Sequence, residues 1–523
     1  MKQSSQQRVK EHYQTLRKLG PEALWNLEVP AFNAAPPEER IQNVSVIRAV
    51  GVVFSEAGSS AQKAAALVWL RELVHDPEEK VRRYAMAALP KLGSGEAEET
   101  QLLSLASKSS GPRETQFLAK TLERIGGRET LKVAHAASLS PLGLDAQKLE
   151  ANIARRQGKG GISLSQPLSP FEGLRLKLEC RTGLEPILLE ELAQTHRLKN
   201  LLRVVHSKRG GIELAPQRPF SLQELHVLRC FSHGLFVLGE LPPLPRQGAS
   251  LPCEAIASLI ASELAAHIFT SLSDGPIRYR LEFPSRRADA ALVEEITSRV
   301  FKRKPFLLND SREAPWEVQI HESSQGVSVE LHPKLRPDPR FAYRRGDVPA
   351  ASHPPLAAAL ARIAGLGAFK DERIWDPFCG SGLELAESIL SGHVSEVFGT
   401  DLSPEAIAVC RENLHSVLTG APGKPGLHLK DCDFREGPKM VGAKELTLMI
   451  TNPPLGKRVP VADLRVLLAG LFTVAERVLR PGGRLVLVNP LDRLPHGGRL
   501  RLALRQRVDV GFAHLHVEKY ILD

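Results

Sequence analysis

The sequence predicts three architectures in series: an all-helical segment over 1–154, a mixed α+β region over 171–340 and an open α/β domain over 341–523, with a linker at 155–170. Three observations carry this. Apolar residues recur at helical spacing in the first segment, alternating runs typical of strands appear in the second, and the third alternates short strands with helices. A chain of 523 residues is also too long for a single core.

In the helical segment the clearest stretch is Leu67 to Gly93. Leu67, Leu70, Leu73 and Val74 form one apolar face, Asp76-Pro77 breaks the chain, and Val81, Ala85, Ala88, Leu89 and Leu92 form a second. A weaker copy follows, with Leu102, Leu103 and Leu105, a Gly111-Pro112 break, then Phe117, Leu118, Leu122 and Ile125. Gly93 and Gly126, which end the two copies, lie 33 positions apart, and a helix pair recurring at such a period points to a solenoid; a plain helical bundle is the alternative. Residues 155–169 are dominated by Gly, Ser and Pro without periodicity, as in a linker.

The middle region opens with the alternating run Leu174 to Cys180, a helix over Gly183–Leu192, and further strands at 277–284, Trp316–Ile320 and Val327–Leu331. It carries Arg278, Arg280, Arg286, Arg287, Lys302, Arg303 and Lys304. A solvated surface accounts for such charges; a groove pairing with phosphates is the sharper alternative.

The last region is the most informative. Strands are expected at Arg373–Trp375, Val394–Gly399, Leu427–Leu429, Leu446–Ile450 and Arg484–Val488, with helices after Gly382, over Pro404–Leu414 and from Leu464. The first four strands lead into Asp376-Pro377-Phe378-Cys379-Gly380-Ser381-Gly382, Thr400-Asp401, Asp431-Cys432-Asp433 and Asn452-Pro453-Pro454-Leu455. Open α/β sheets bind ligands at these carboxyl ends. Gly380 and Gly382 allow close backbone approach, and the helix beyond them favours a carboxylate. Asp376 is placed for an ammonium or the loop's own amides. Asp401, about 20 residues beyond the glycines, is placed for a ribose hydroxyl pair, and Asp433 for an adenine amine. The set suits an adenosine bearing an amino acid and no pyrophosphate. A dinucleotide-dependent dehydrogenase would want a longer Gly-x-Gly-x-x-Gly turn.

The pair formed by Asp376–Gly382 and Asn452–Leu455 resembles the amino-methyltransferases of the class I S-adenosylmethionine (SAM) family, which have a Rossmann-like fold. The resemblance implies SAM as cofactor, with Asp376, Phe378, Gly380, Gly382, Asp401, Leu402, Asp433, Phe434 and Asn452 around it. It also implies a catalytic set of Asn452, Pro453, Pro454 and Leu455, with the Asn452 side chain and the Pro453 carbonyl accepting from the target amine. Upstream, Leu178–Glu185 looks like the ferredoxin-like lead-in to a THUMP RNA-binding domain. Phe341–Asp347 looks like the Arg-Arg-Gly run that joins THUMP to a catalytic domain, and 351–364 like the helix covering the cofactor. The layout resembles THUMP-containing guanine-N2 methyltransferases of ribosomal RNA or tRNA, and Arg344 and Arg345 join the basic residues above as expected RNA contacts. The helical segment looks like HEAT repeats, and a protein partner is expected there. The family usually has an aromatic residue where this chain has Leu455. Leu455 together with the helical repeats leaves a non-catalytic RNA-binding adaptor open, and the shared Asn-Pro-Pro signature leaves open a DNA or protein-glutamine amino-methyltransferase.

The formal net charge of +10 favours a polyanionic partner. The six scattered cysteines show no zinc spacing and read as reduced thiols, so no metal is expected. No apolar run suits a membrane span and the polar N-terminus does not read as a signal peptide; a cytoplasmic protein is the expectation.

Overall fold

The computed structural model describes all residues except 1–4, 93–97, 107–110, 137–141, 157–159, 246–249, 350, 393, 421–422, 456–462, 493–497 and 510–513. The chain forms two compact units that interleave along the sequence: Met1–Gly161 with Leu244–Ala261 and Ser273–Trp316, and Ile162–Pro243 with Ser262–Leu272 and Glu317–Asp523. No single helix among the described residues is long and apolar enough to cross a membrane.

The first unit is built on stacked helix pairs. The expected pairs appear as Ser60–Leu73 with Glu79–Ala88 and Glu99–Ala106 with Pro112–Ile125. Leu70, Leu73, Val74, Val81, Ala85, Leu118 and Leu122 are buried in one continuous core. Gly93, expected to end the first copy, lies outside the described residues. The row extends beyond the two pairs read from the sequence: Ser45–Ala57 packs on Glu79–Ala88, which packs on Pro112–Ile125, which packs on Ala146–Arg156. Gly51 permits the first of these contacts, since a Cβ there would lie 2.9 Å from that of Ala88.

Ion pairs tie successive layers. Asp76 is buried, accepts from the Glu78 amide at 2.8 Å and pairs with Arg40. Arg82 reaches Glu114 at 2.5 and 3.1 Å while donating to the carbonyls of Asp76 and Pro77. Glu114, in the second helix pair, is thus the partner of Arg82.

The continuous middle region 171–340 is corrected here, because it does not form one unit. Phe301 and Leu308 belong to the core of the helical unit. His135 hydrogen-bonds Ser298 at 2.6 Å, and Glu150 accepts from the Asn309 amide at 3.1 Å. These contacts join residues about 160 positions apart, beyond the reach of any local pattern.

In the second unit, antiparallel strands at Leu202–Lys208, Gly211–Pro216, Leu176–Glu179, His233–Leu241 and Gly326–Pro333 lie side by side in that order, with the helix Glu185–Gln194 after Leu176–Glu179. The last part of the chain is a seven-stranded sheet. Its strands are β1 (Glu372–Asp376), β2 (Val394–Asp401), β3 (Gly426–Asp431), β4 (Leu446–Thr451), β5 (Leu479–Asn489), β6 (Leu500–Asp509) and β7 (His514–Leu522). The order is β3-β2-β1-β4-β5-β7-β6, parallel over the first five, with β7 antiparallel between β5 and β6. Helices α1 (Pro354–Ala364), α2 (Leu383–Leu390), α3 (Pro404–Gly420) and α4 (Leu464–Val478) accompany it. The strand order reverses beside β1, between β1 and β4, which places a ligand crevice at their carboxyl ends. The central strand β4 is buried along its whole length, as expected for parallel strands covered on both faces.

One fully buried ion pair offers a test of the first unit. Arg278 and Asp310 are 2% and 0% exposed and bonded at 3.0 Å. Asp310→Ala strands the guanidinium, and urea unfolding of that unit should show a loss of about 3–5 kcal/mol.

Candidate functional site

The loop after β1 is shaped by two glycines. Gly380 and Gly382 have φ of +49° and +81°, in the left-handed region. A Cβ on Gly382 would also lie 2.7 Å from the Cys410 sulfur of α3, so that glycine is required twice over. Gly382 caps α2. The loop is held from β2: the Gly380 amide donates to Asp401 Oδ2 at 3.0 Å, while the Ser403 amide donates to Asp401 Oδ1 at 3.0 Å. Each carboxylate oxygen of Asp401 keeps a lone pair for a further donor.

Asp376, at the end of β1, is fully buried. Its Oδ1 accepts from Thr451 Oγ1 at 2.6 Å and the Phe378 amide at 3.0 Å, while Oδ2 has no partner. Burial, and then the nearby Glu384 carboxyl, hold its pKa well above the usual carboxylate range. Glu384 in the first turn of α2 is likewise buried, with its pKa raised by desolvation. It accepts a hydrogen bond from the buried Ser352 hydroxyl.

Asn452 follows β4. Its Nδ2 donates to Ser352 Oγ at 2.8 Å, and its Oδ1 is buried with no partner. Pro453 is buried, and Pro454 and Leu455 are half-buried. Asp433 caps the short turn Phe434–Glu436 by accepting from the Arg435 amide at 2.8 Å, and pairs with the Arg435 guanidinium at 3.0 Å on a partly exposed surface. The Phe378 and buried Phe434 rings lie 4.9 Å apart. Leu402 is 74% exposed beside Asp401, an apolar side chain facing open space. The carboxyl edge thus gathers Asp376, Phe378, Gly380, Gly382, Asp401, Leu402, Asp433, Phe434 and Asn452 on the loops that follow β1 to β4.

Ser352 and Glu384 were not read from the sequence. The signal for Glu384 was an acid in the otherwise apolar opening of α2; Ser352, just ahead of Pro354-Pro355, gave none. The Arg344-Arg345-Gly346 run has a structural part as well: the Arg345 and Gly346 amides donate to Asn413 Oδ1 at 2.8 and 3.0 Å, and Asn413 in turn donates to Ser381 O at 2.9 Å.

The expected RNA contacts fare unevenly. Arg278 is corrected: it is buried against Asp310 and offers nothing to a surface. Arg280 pairs with Glu282, Arg303 with Glu254 and Arg344 with Asp347. Arg287, Lys302 and Arg345 are exposed, whereas Arg286 and Lys304 are half-buried. The residues from Arg278 to Lys304 belong to the first compact unit, and Arg344 and Arg345 to the second.

Two outcomes follow from this geometry. Gly382→Ala should lower the thermal melting midpoint, by about 1–3 kcal/mol of stability, because the new Cβ both strains the backbone and meets Cys410. Native Asp376 keeps its proton above the pH at which the unfolded chain releases it. The native state therefore binds more protons over that interval, and stability falls as pH rises through it. Urea midpoints measured against pH should show this fall, and Asp376→Asn should flatten it.

Comparison with known proteins bears on the same part of the chain. Residues 342–496 match a family model described as RMKL-like, methyltransferase domain. Among solved structures, TrmN from Thermus thermophilus is similar at 20% identity and a TM-score of 0.50, over 67% of this chain and 100% of that one. A structure described as a possible methylase from Clostridium difficile 630 matches at 15% identity and a TM-score of 0.49, over 67% of this chain and 98% of that one. The C-terminal part thus has an α/β Rossmann-like methyltransferase fold, and residues 342–496 match a methyltransferase family model, with a helical region toward the N-terminus.

Proposed function

We propose that this chain is a SAM-dependent methyltransferase acting on an exocyclic base amine of RNA, guanine N2 of a ribosomal or transfer RNA. The observation that carries the reading is Asn452 Oδ1, a buried acceptor with no partner at the end of β4. A buried carbonyl left unsatisfied is costly, and an N–H donor from a substrate amine removes the cost.

The residues present fit the cofactor. The left-handed glycine loop leaves room for a close approach, Asp401 keeps acceptor capacity for ribose hydroxyls, exposed Leu402 offers an apolar contact for a purine, and the buried Asp376 Oδ2 is left unpartnered. When bound, SAM supplies an electrophilic methyl group, so the protein has to position the amine more than activate it. Asn452 Oδ1 and the Pro453 carbonyl accept the two amine protons, which turns the nitrogen lone pair out of that plane. Leu455 supplies apolar contact to the base without a π face.

The excess of positive charge and the exposed Arg287, Lys302 and Arg345 support a nucleic-acid partner. The stacked helices of the first unit suit a HEAT-like protein-docking role, and the antiparallel strands ahead of the catalytic sheet suit a THUMP-like one. Leu455 favours one second reading, an RNA-binding adaptor without activity.

Purified protein incubated with methyl-labelled SAM and total RNA should transfer label to RNase-sensitive material. Nucleoside digestion should yield a methylated guanosine. Asn452→Ala should lower the rate by roughly 10²-fold or more while SAM still binds by calorimetry. An absence of transfer with SAM bound would favour the adaptor.

A further inference from the structure

Three side chains from separate segments form one buried relay behind the substrate-facing edge. Asn452 Nδ2 donates to Ser352 Oγ at 2.8 Å, and Ser352 Oγ donates to Glu384 Oε1. Ser352 and Glu384 are 9% and 4% exposed, so water does not compete for either bond. A serine hydroxyl has one proton. With that proton committed to Glu384, Ser352 can only accept from its other neighbour. Asn452 must then turn its NH2 toward Ser352 and its carbonyl away from it, and that carbonyl oxygen is the atom left without a partner. Glu384 Oε1 keeps the accepting role when the acid is protonated on Oε2, since the oxygen is then the carbonyl of a carboxylic acid.

We propose that Ser352 and Glu384 are positioning residues that lock the Asn452 amide with its oxygen presented to the acceptor base, and so make the site select an N–H donor. The proposal rests on the reading of Asn452 as the amine-binding residue. Its logic is a proton count along the relay. Remove the Glu384 acceptor and the Ser352 hydroxyl can rotate to donate to Asn452. The amide is then free to turn, and its NH2 would face the substrate amine, donor against donor. Thr451, the residue before Asn452, donates to Asp376, so the backbone at this step is fixed independently of the relay. The relay therefore governs the amide's rotation rather than its place.

The test uses the full-length protein labelled with 15N-asparagine, with the Asn452 side-chain signal assigned by its loss in Asn452→Asp. In the wild type the Asn452 NH2 protons should show a nuclear Overhauser contact to the Ser352 β protons. Glu384→Leu should weaken or abolish it, and Glu384→Gln, whose amide oxygen can still accept from Ser352, should keep it. No contact in the wild type, or an unchanged contact in Glu384→Leu, overturns the proposal. In parallel, Glu384→Leu should lower kcat for RNA methylation by roughly 10²-fold with unchanged SAM affinity, and Glu384→Gln should restore most of it. Matching thermal melting midpoints for Glu384→Leu and Glu384→Gln separate loss of the lock from a folding defect. A wild type that shows the contact but methylates no RNA supports the lock and refutes the methyltransferase reading instead.

Discussion

Two acids buried together beneath a glycine loop set the terms for the whole carboxyl edge. Asp376 closes β1 and Glu384 opens α2, and the left-handed Gly380 and Gly382 lie between them. Neither carboxyl reaches water, so each raises the cost of charge on the other and both draw hydrogen-bond donors from neighbouring segments. Thr451 serves Asp376, and Ser352 serves Glu384. Those donors flank or contact Asn452. The electrostatics of the loop and the orientation of the proposed substrate-binding amide are thus one problem with one solution.

A third acid joins the antiparallel strands to the seven-stranded sheet within the same compact unit. Glu387, one turn beyond Glu384 on α2, takes both arms of the Arg229 guanidinium at 2.6 and 2.8 Å and the Tyr343 hydroxyl at 2.5 Å. Bidentate pairing of this kind fixes direction as well as distance. Arg340 adds a bond to the Phe231 carbonyl at 2.8 Å. One helix therefore carries the glycine-loop cap, the relay acid and the fastening acid, and a shift of α2 would disturb all three.

The sequence made the C-terminal sheet legible because parallel strands covered on both faces are short apolar runs and their functional residues fall at run ends. The loop glycines, Asp401 and Asn452 all stand where that pattern places them. It left β6 and β7 unread, since Leu500–Asp509 is rich in arginine and its outward face is exposed. It also read Arg278 as a surface cation, although Asp310, 32 residues on, neutralises it in the interior. Charge in a strand says nothing about partners that arrive from elsewhere in the chain. The same limit hid Ser352 and the passage of residues 273–316 into the helical unit, because both are settled by long-range contacts.

The account turns on a cofactor lying along the loops after β1 to β4 with the Asn452 oxygen left open beside it. A crystal structure of the complex with S-adenosylhomocysteine measures this directly. The account predicts ribose hydroxyls on Asp401, the adenine beside Leu402 and Asp433, and the sulfur within reach of an amine held on Asn452 Oδ1. A product analogue bound elsewhere, or an Asn452 amide whose nitrogen faces the sulfur, would contradict it.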